Sequence, residues 1–147
     1  MIRNKPLFYI LSFTWGLPMT MIGCVVAALL LITGHKPKKW GYCYYFEIGH
    51  GWGGINLGMF FLVSNTAGYS TKSHELGHAM QNCIFGALMP FLVGIPSVTR
   101  YWYRDYLVRS GKKKYYELSD YDSVWYEGGA SKTGAEFMNW YNTQQNY

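Results

Sequence analysis

Cysteine is scarce in this chain, and its spacing excludes two common ways of stabilising a small protein. The 147 residues include three cysteines, Cys24, Cys43 and Cys83, and no CxxC pair. An odd number of widely separated cysteines does not make a disulfide framework. A thiolate zinc site needs cysteines that lie much closer together in sequence. The sequence therefore predicts neither a disulfide framework nor a thiolate zinc site.

Charged residues are also few, and most of those present are basic. They make up 14% of the chain, below the usual figure of about a quarter. The net charge of +5 comes mainly from residues 36–39, 100–109 and 112–114. No nucleic-acid-binding motif accompanies these clusters, so nucleic acid is not an expected partner. A purely solubilising role and contact with anionic lipid headgroups both remain open.

Charge is completely missing from residues 7–34. This run exceeds the roughly 20 residues that a bilayer-spanning helix needs. A cleaved signal peptide has a shorter apolar core, roughly 7–15 residues, and a small-residue cleavage site. We therefore expect residues 1–35 to form a permanent single-pass anchor in membrane lipid. The alternative is a buried core helix, which Gly16 and Pro18 would interrupt, whereas transmembrane helices tolerate both.

The orientation of this anchor is not determined by its flanks. Basic residues precede and follow the uncharged run in nearly equal numbers, so the positive-inside rule barely discriminates. All of the 13 Lys and Arg residues except Arg3 and Lys5 follow the run, which slightly favours the cytoplasmic face. The sequence gives no indication of oligomeric state.

Two segments after the anchor are typical of β-strands. Residues 40–48 and 55–63 are rich in Tyr, Phe, Ile and Val. A glycine-heavy connection, residues 49–54, joins them. Strand-forming runs separated by a short glycine-rich segment predict a β-hairpin.

Helices are expected in the second half of the chain, around a further uncharged segment. Thr71 or Ser73 can cap a helix that Gly86 would end, and Asp122 or Ser123 can cap a last helix reaching about Trp140. Residues 79–98 carry no charge, but Pro90 and Pro96 argue against one straight helix there. We expect a short buried or interfacial segment in that place.

The first expected helix contains the sequence HExxH, formed by His74, Glu75 and His78. Positions i and i+4 lie on one helix face, one turn apart, so both imidazoles can reach one metal ion. Glu75 stands beside them, where a carboxylate can take a proton from metal-bound water. The chain has four histidines, and two of them fall in this motif. The pattern predicts a zinc site.

A catalytic zinc site has three protein ligands and an open position for water. Candidates for the third ligand are Glu127, Glu136, Asp120, Asp122 and His50. Glu127, Ala130 and Gly134 share one helix face, so a carboxylate lies above two small residues that allow close packing. Glu136 is two and a half turns further on and points the other way. Glu127 is therefore the predicted third ligand.

These motifs together resemble the Glu-zincin (gluzincin) metallopeptidases, which carry HExxH on one helix and a Glu ligand on a later helix. More narrowly, the chain resembles largely uncharacterised small bacterial membrane proteins with HE-aromatic-GHxxQ, then a Gly- and Pro-rich apolar stretch, then WxExxAxxxG. Similar domains occur at the ends of some secreted toxins. The matching residues are His74, Glu75, Gly77, His78, Gln81, Gly86, Pro90, Gly94, Pro96, Trp125, Glu127, Ala130 and Gly134. Leu76 replaces the common aromatic residue, and the match spans roughly residues 55–135.

The resemblance implies an α+β fold and a function. An N-terminal transmembrane helix would precede a small zincin-like domain, residues 36–147, in which a β-hairpin and the HExxH helix pack with the Glu-bearing C-terminal helix. With Zn²⁺ as cofactor, a membrane-anchored metallopeptidase would hydrolyse a peptide or protein substrate, with Glu75 as general base. The strand at residues 55–63 would border the cleft and pair with extended substrate.

An oxyanion donor is also required by this chemistry. Tyr121 and Tyr126 are the candidates, with His50 as a third, and the sequence does not choose among them.

Two other functions fit the same residues. An intramembrane metalloprotease would have HExxH inside the bilayer, but that class usually takes its third ligand from an Asp-Gly motif, which this chain lacks. A non-catalytic membrane protein could use a structural or partner-binding zinc site. Glu75 argues against this second alternative, because a structural site has no use for the extra carboxylate.

Overall fold

A computed structural model describes residues 1–145 as a mixed α+β protein. The helices are α1 (Lys5–Phe13), α2 (Leu17–Ile32), α3 (Tyr69–Phe85), α4 (Ile95–Arg109) and α5 (Trp125–Gln145). The strands are β1 (Lys38–Trp40), β2 (Cys43–Glu47), β3 (Gly54–Leu57) and β4 (Phe60–Val63). Short 3₁₀ turns at Gly86–Leu88, Tyr115–Glu117 and Tyr121–Ser123, and a π-helical turn at Pro90–Gly94, complete the described chain.

The N-terminal uncharged run does not form the single spanning helix that we expected. It forms α1 and α2, which meet at 90°. Pro18 lies in the first turn of α2, where its missing N–H costs nothing. The bend is attached to the end of α3, because the Asn82 side chain donates to the Gly16 carbonyl (3.1 Å) and Trp15 Nε1 donates to the Ile84 carbonyl (3.1 Å). A Cβ at Gly16 would overlap the Asn82 side chain, so glycine favours this close approach.

No single helix among residues 1–145 is long and apolar enough to cross a membrane. Two bent pairs meet that requirement by length and composition. One is α1 with α2, and the other joins Tyr69–Leu88 to Pro90–Arg109 across a bend of 119°.

The strands form one four-stranded sheet in the order β1-β2-β4-β3. The expected hairpin between residues 40–48 and 55–63 is wrong, because β2 and β4 pair in parallel. Each segment instead contributes to a tight antiparallel hairpin of its own, β1 with β2 and β3 with β4, and both hairpins begin before the expected strands do. Gly41 and Gly58 make both turns possible, with φ values of 57° and 72° that other residues rarely adopt.

The core lies where α3 passes between the sheet and α5. Its largest fully buried apolar side chains include Phe8 of α1, Phe46 and Phe61 of the sheet, Leu76 and Met80 of α3, and Phe137 of α5. Residues of α1 thus share a core with the domain that follows them. The proposed division of the chain at residue 35 stays a prediction.

Helices α3 and α5 approach closely through small residues. A Cβ on Gly77 would overlap the Ala130 carbonyl, and a Cβ on Gly134 would overlap the Ser73 carbonyl. Ala130 and Gly134 are buried on the same face of α5 as Glu127, while Glu136 is exposed. This packing brings the first turn of α5 against the middle of α3.

We expect Ala130→Leu to destabilise the protein by about 1–3 kcal/mol, because a larger side chain in this contact would push the two helices apart. Metal binding should weaken in parallel. Ala135→Leu, the same substitution at an exposed position of α5, is the control. Thermal unfolding with metal analysis measures both effects, and equal stability of the two variants would contradict the close packing.

The uncharged segment 79–98 contains the end of α3, two irregular turns and the start of α4. Met89 and Val93 are buried, whereas Leu88, Phe91 and Ile95 are exposed. The segment is therefore a half-buried turn with an apolar outer surface. Its neighbour is the bend between α1 and α2, since the Trp15 ring lies against Gly86.

Candidate metal centre

Three potential metal ligands converge where α3 meets α5. His74 and His78 are one turn apart on α3, and Glu127 lies in the first turn of α5. Glu127 Oε2 is 3.1 Å from His74 Nε2 and 3.2 Å from His78 Nε2. One ligand atom from each residue lies within 4.8 Å of the other two. The structure thus brings together the three residues that the spacing of the motifs predicts.

The spacing and chemistry of these three side chains suit the binding of a cation. Ligands held tetrahedrally at about 2.0–2.1 Å from zinc are separated by roughly 3.3 Å, close to the observed distances between Glu127 and the two imidazoles. Glu127 is completely buried, and its Oε1 has no hydrogen-bond partner. A buried carboxylate oxygen without a partner is costly unless a cation or ion pair compensates it. The group could therefore hold a metal ion.

Hydrogen bonds from outside the group orient both imidazoles. His78 Nδ1 lies 2.8 Å from Gln81 Oε1, and Gln81 Nε2 donates to the Tyr126 carbonyl (2.8 Å). Because that carbonyl accepts only, the Gln81 oxygen must face His78. His78 Nδ1 therefore carries a proton, which leaves Nε2, the nitrogen that faces Glu127, as the atom that could bind a metal. Such outer partners tune both ring orientation and ligand basicity.

Ser131 has the equivalent place beside the other histidine, with its Oγ 2.7 Å from His74 Nδ1. Sequence reasoning missed this residue. The signal was available, because Ser131 follows Glu127 by four residues and so lies on the same face of α5.

The two carboxylates of the site are held in different electrostatic environments. Burial would raise the pKa of Glu127, but hydrogen bonds with His74 and His78 outweigh it and hold that pKa well below its usual range. Burial raises the pKa of Glu75 to about 7; the His78 ring lowers it and Glu127 raises it further. Glu127 is thus held as an anion, whereas burial favours the protonated form of Glu75.

Glu75 faces a cleft rather than a packed interface. Its Oε2 is buried and has no hydrogen-bond partner. A Cβ on Gly54 would lie 2.6 Å from its Oε1, so the glycine of β3 leaves space for this carboxylate. The cleft has a volume of about 1020 Å³, and His74, Glu75 and His78 all line it.

The three candidates for the oxyanion donor, Tyr121, Tyr126 and His50, differ in whether they line the cleft. Tyr121 lines the cleft, with its ring centroid 6.1 Å from that of His74, and burial raises its pKa. Tyr126 packs its ring against Trp125 and contributes its carbonyl to Gln81. His50 lies in an exposed loop, 3.3 Å from the Asn65 side chain. Tyr121 is therefore the one of these three donors that lies beside the metal ligands.

The remaining candidates for a third ligand do not join the group. Asp120, Asp122 and Glu136 are all exposed. Asp122 lines the cleft, but within residues 1–145 only His74, His78 and Glu127 converge tightly enough for a metal.

Comparisons with protein-family models, with curated proteins and with solved structures found no match for this chain. Its resemblance to gluzincins therefore depends on the motifs quoted above. What the chain does must be argued from the geometry and chemistry of the site.

Proposed function

We propose that the protein is a zinc-dependent metallopeptidase. The observation that carries the proposal is the convergence of His74, His78 and Glu127 beside Glu75, with both imidazoles and Glu75 at the wall of an open cleft. Two imidazoles and a carboxylate are a donor set common to catalytic zinc sites, and three protein ligands leave a fourth position for water. A closed structural site would usually use a fourth protein ligand instead.

Bound zinc would polarise a scissile carbonyl and lower the pKa of its water. Glu75 would accept a proton from the attacking water and pass it to the leaving amine. Tyr121 is the proposed donor to the developing oxyanion, since its ring lies in the cleft near His74.

A polypeptide substrate is supported by β3. This strand is at the edge of the sheet and pairs with β4 on one side only. Its residues Gly54–Leu57 also line the cleft. An edge strand beside a catalytic group can bind an extended chain through backbone hydrogen bonds. This supports the zincin-like arrangement proposed from the motifs.

Metal analysis and an activity assay on the purified full chain test the proposal. We expect bound zinc, hydrolysis of denatured casein, and loss of that activity on chelation with recovery on adding zinc. A protein that binds no metal would disprove the proposal. A zinc-loaded protein that cleaves no peptide would favour the non-catalytic alternative.

We further propose that the protein associates with membrane lipid through an apolar surface. This surface is formed by exposed side chains of α1, of α2, of the bend between them, and of residues 88–95 in and next to the turn before α4, and it includes Leu7, Ile10, Phe13, Trp15, Leu17, Met21, Ile22, Val25, Leu29, Leu31, Ile32, Leu88, Phe91, Leu92 and Ile95. Exposed apolar area of this extent is unusual on a soluble monomer and typical of an interaction surface.

Val25→Glu should reduce binding to phospholipid vesicles about tenfold or more, because an acidic side chain in lipid costs up to about 3 kcal/mol. Point variants are preferred to deletion of residues 1–35, since Phe8 and Thr20 are buried. The control is Tyr116→Glu, an equally charged change at an exposed position next to the basic residues 112–114, and zwitterionic vesicles exclude any effect of that change on attraction to anionic headgroups. Vesicle flotation measures binding, and equal binding of both variants would contradict the proposal.

A further inference from the structure

We infer that the cleft selects an apolar peptide segment that enters from the membrane side, between α2 and the turn before α4. This inference deepens the proposed peptidase function and depends on it for the cleavage step, and it depends on the proposed membrane association for the direction of entry. It concerns which side chains the substrate carries and the direction from which it arrives.

One part of the cleft wall is built from the same elements that form the apolar surface. Met19 and Ile22 of α2 line it, together with Met89 and Val93 of the irregular turn. Met19, Met89 and Val93 are buried and pack with Leu57 of β3 in one cluster. The strand expected to bind the substrate backbone is thus continuous with an apolar wall.

The cleft also reaches the exposed part of these elements. Ile22, Ile95 and Trp102 line it and yet are largely exposed, at 49%, 58% and 69%. Ile22, three residues from Val25 on α2, and Ile95 both belong to the apolar surface, so the apolar surface and the cleft share a border. A peptide already bound to the membrane would reach Glu75 along this border without crossing a charged region.

Charge is restricted to other parts of the lining. Among the described lining residues, the Asp, Glu, Lys and Arg side chains are Glu75 of α3, Arg104 and Asp105 of α4, and Asp122 of the turn before α5. None comes from α2 or from the turn before α4. Apolar side chains would therefore be favoured on that part of the wall, where a charged side chain would lose its hydration without gaining a partner.

The free edge of β3 favours a polypeptide over a lipid as the occupant. β3 lines the cleft and pairs with β4 on one side only. An acyl chain offers nothing to pair with backbone groups at a strand edge, whereas a polypeptide does. A membrane-associated apolar peptide satisfies both the backbone edge and the apolar wall.

A pair of neighbouring substitutions on α2 tests the inference. Ile22 and Met21 are equally exposed, at 49% and 50%, but only Ile22 lines the cleft. The readout is the ratio of kcat/KM for leucine-rich peptides to kcat/KM for lysine-containing peptides, measured in detergent micelles. Ile22→Glu should lower this ratio at least tenfold. Met21→Glu should leave that ratio unchanged, whatever it does to membrane attachment. Equal ratios in the two variants would overturn the inference. Equal cleavage of both peptides by the wild type would also overturn it. Either outcome would leave the peptidase proposal intact.

A binding experiment gives a second readout that does not need catalysis. A leucine-rich peptide carrying benzophenone should cross-link to residues 19–22 and to the turn at residues 89–95. The cross-link should be lost in Ile22→Glu and kept in Met21→Glu. If no peptide is cleaved but this pattern appears, the peptidase proposal fails and the binding inference stands. Cross-links to other parts of the chain would overturn the binding inference. So would a complete loss of cross-linking when phospholipid is added at a concentration below that of the peptide.

Discussion

Zinc binding should fall a hundredfold or more when Glu127 is replaced by alanine, with His74→Ala and His78→Ala giving comparable losses. Structural zinc sites bind zinc with an apparent free energy of roughly 10–16 kcal/mol. Even a smaller total shared among three protein ligands would make the loss of one cost about 3 kcal/mol, which is about a hundredfold in affinity. Glu127→Gln should also bind zinc poorly, although it preserves the shape of the side chain. Competition with a chromogenic chelator measures the affinity, and circular dichroism checks the fold.

The matched control for this prediction lies on the same helix. Glu136 is exposed on the side of α5 away from α3, so Glu136→Ala should bind zinc as the wild type does. Normal zinc content in Glu127→Ala, together with loss in Glu136→Ala or Asp122→Ala, would show that the third ligand has been assigned to the wrong residue.

Peptide hydrolysis should fall by about 10²–10⁴-fold in Glu75→Gln while zinc remains bound, because general-base assistance contributes a factor of that size. Glutamine keeps the shape of the side chain but cannot accept the water's proton. Glu75 is buried beside the metal group without belonging to it, so ligand geometry should survive the change. Single-turnover cleavage of a fluorogenic peptide, with zinc content measured on the same sample, checks both parts.

Glu136→Gln makes the same chemical change at an exposed position and should keep full activity. If Glu75→Gln keeps its activity, another group must act as the base. If Glu75→Gln instead loses its zinc, the effect on hydrolysis cannot be attributed to proton transfer.

The metal group could be predicted because its geometry is mostly local. His74 and His78 are placed together by one turn of helix, and Glu127 is placed by the face it shares with Ala130 and Gly134. The tertiary contact needed only that two helices pack through small residues, which the sequence itself displays. The close approach of Gly77 to Ala130 is consistent with that reading.

Strand pairing was predicted wrongly for the opposite reason. Apolar composition identifies segments that form strands, but the partner of each strand depends on contacts distant in sequence. Gly41 and Gly58 divide two apparent strands into hairpins, and the turn at Gly58 is held by Asn56 and packs on Thr20 of α2. A composition-based reading treats such a glycine as part of the strand.

The N-terminal run shows the same limit. Its lack of charge indicates apolar surroundings, but a straight helix and a bent pair have the same composition. The bend at Gly16 depends on Asn82, a residue 66 positions away that donates to its carbonyl. Only the folded chain brings these two residues together.

The sequence by itself determined which side chains could bind a metal and which carboxylate stands beside them, because helix periodicity converts spacing into position. The tertiary structure alone decided that β3 is an edge strand, that α2 bends back onto the end of α3, and that both border one cleft with Glu75. Those features arise from packing between distant segments, where burial and steric fit select one arrangement among several that the same local pattern allows.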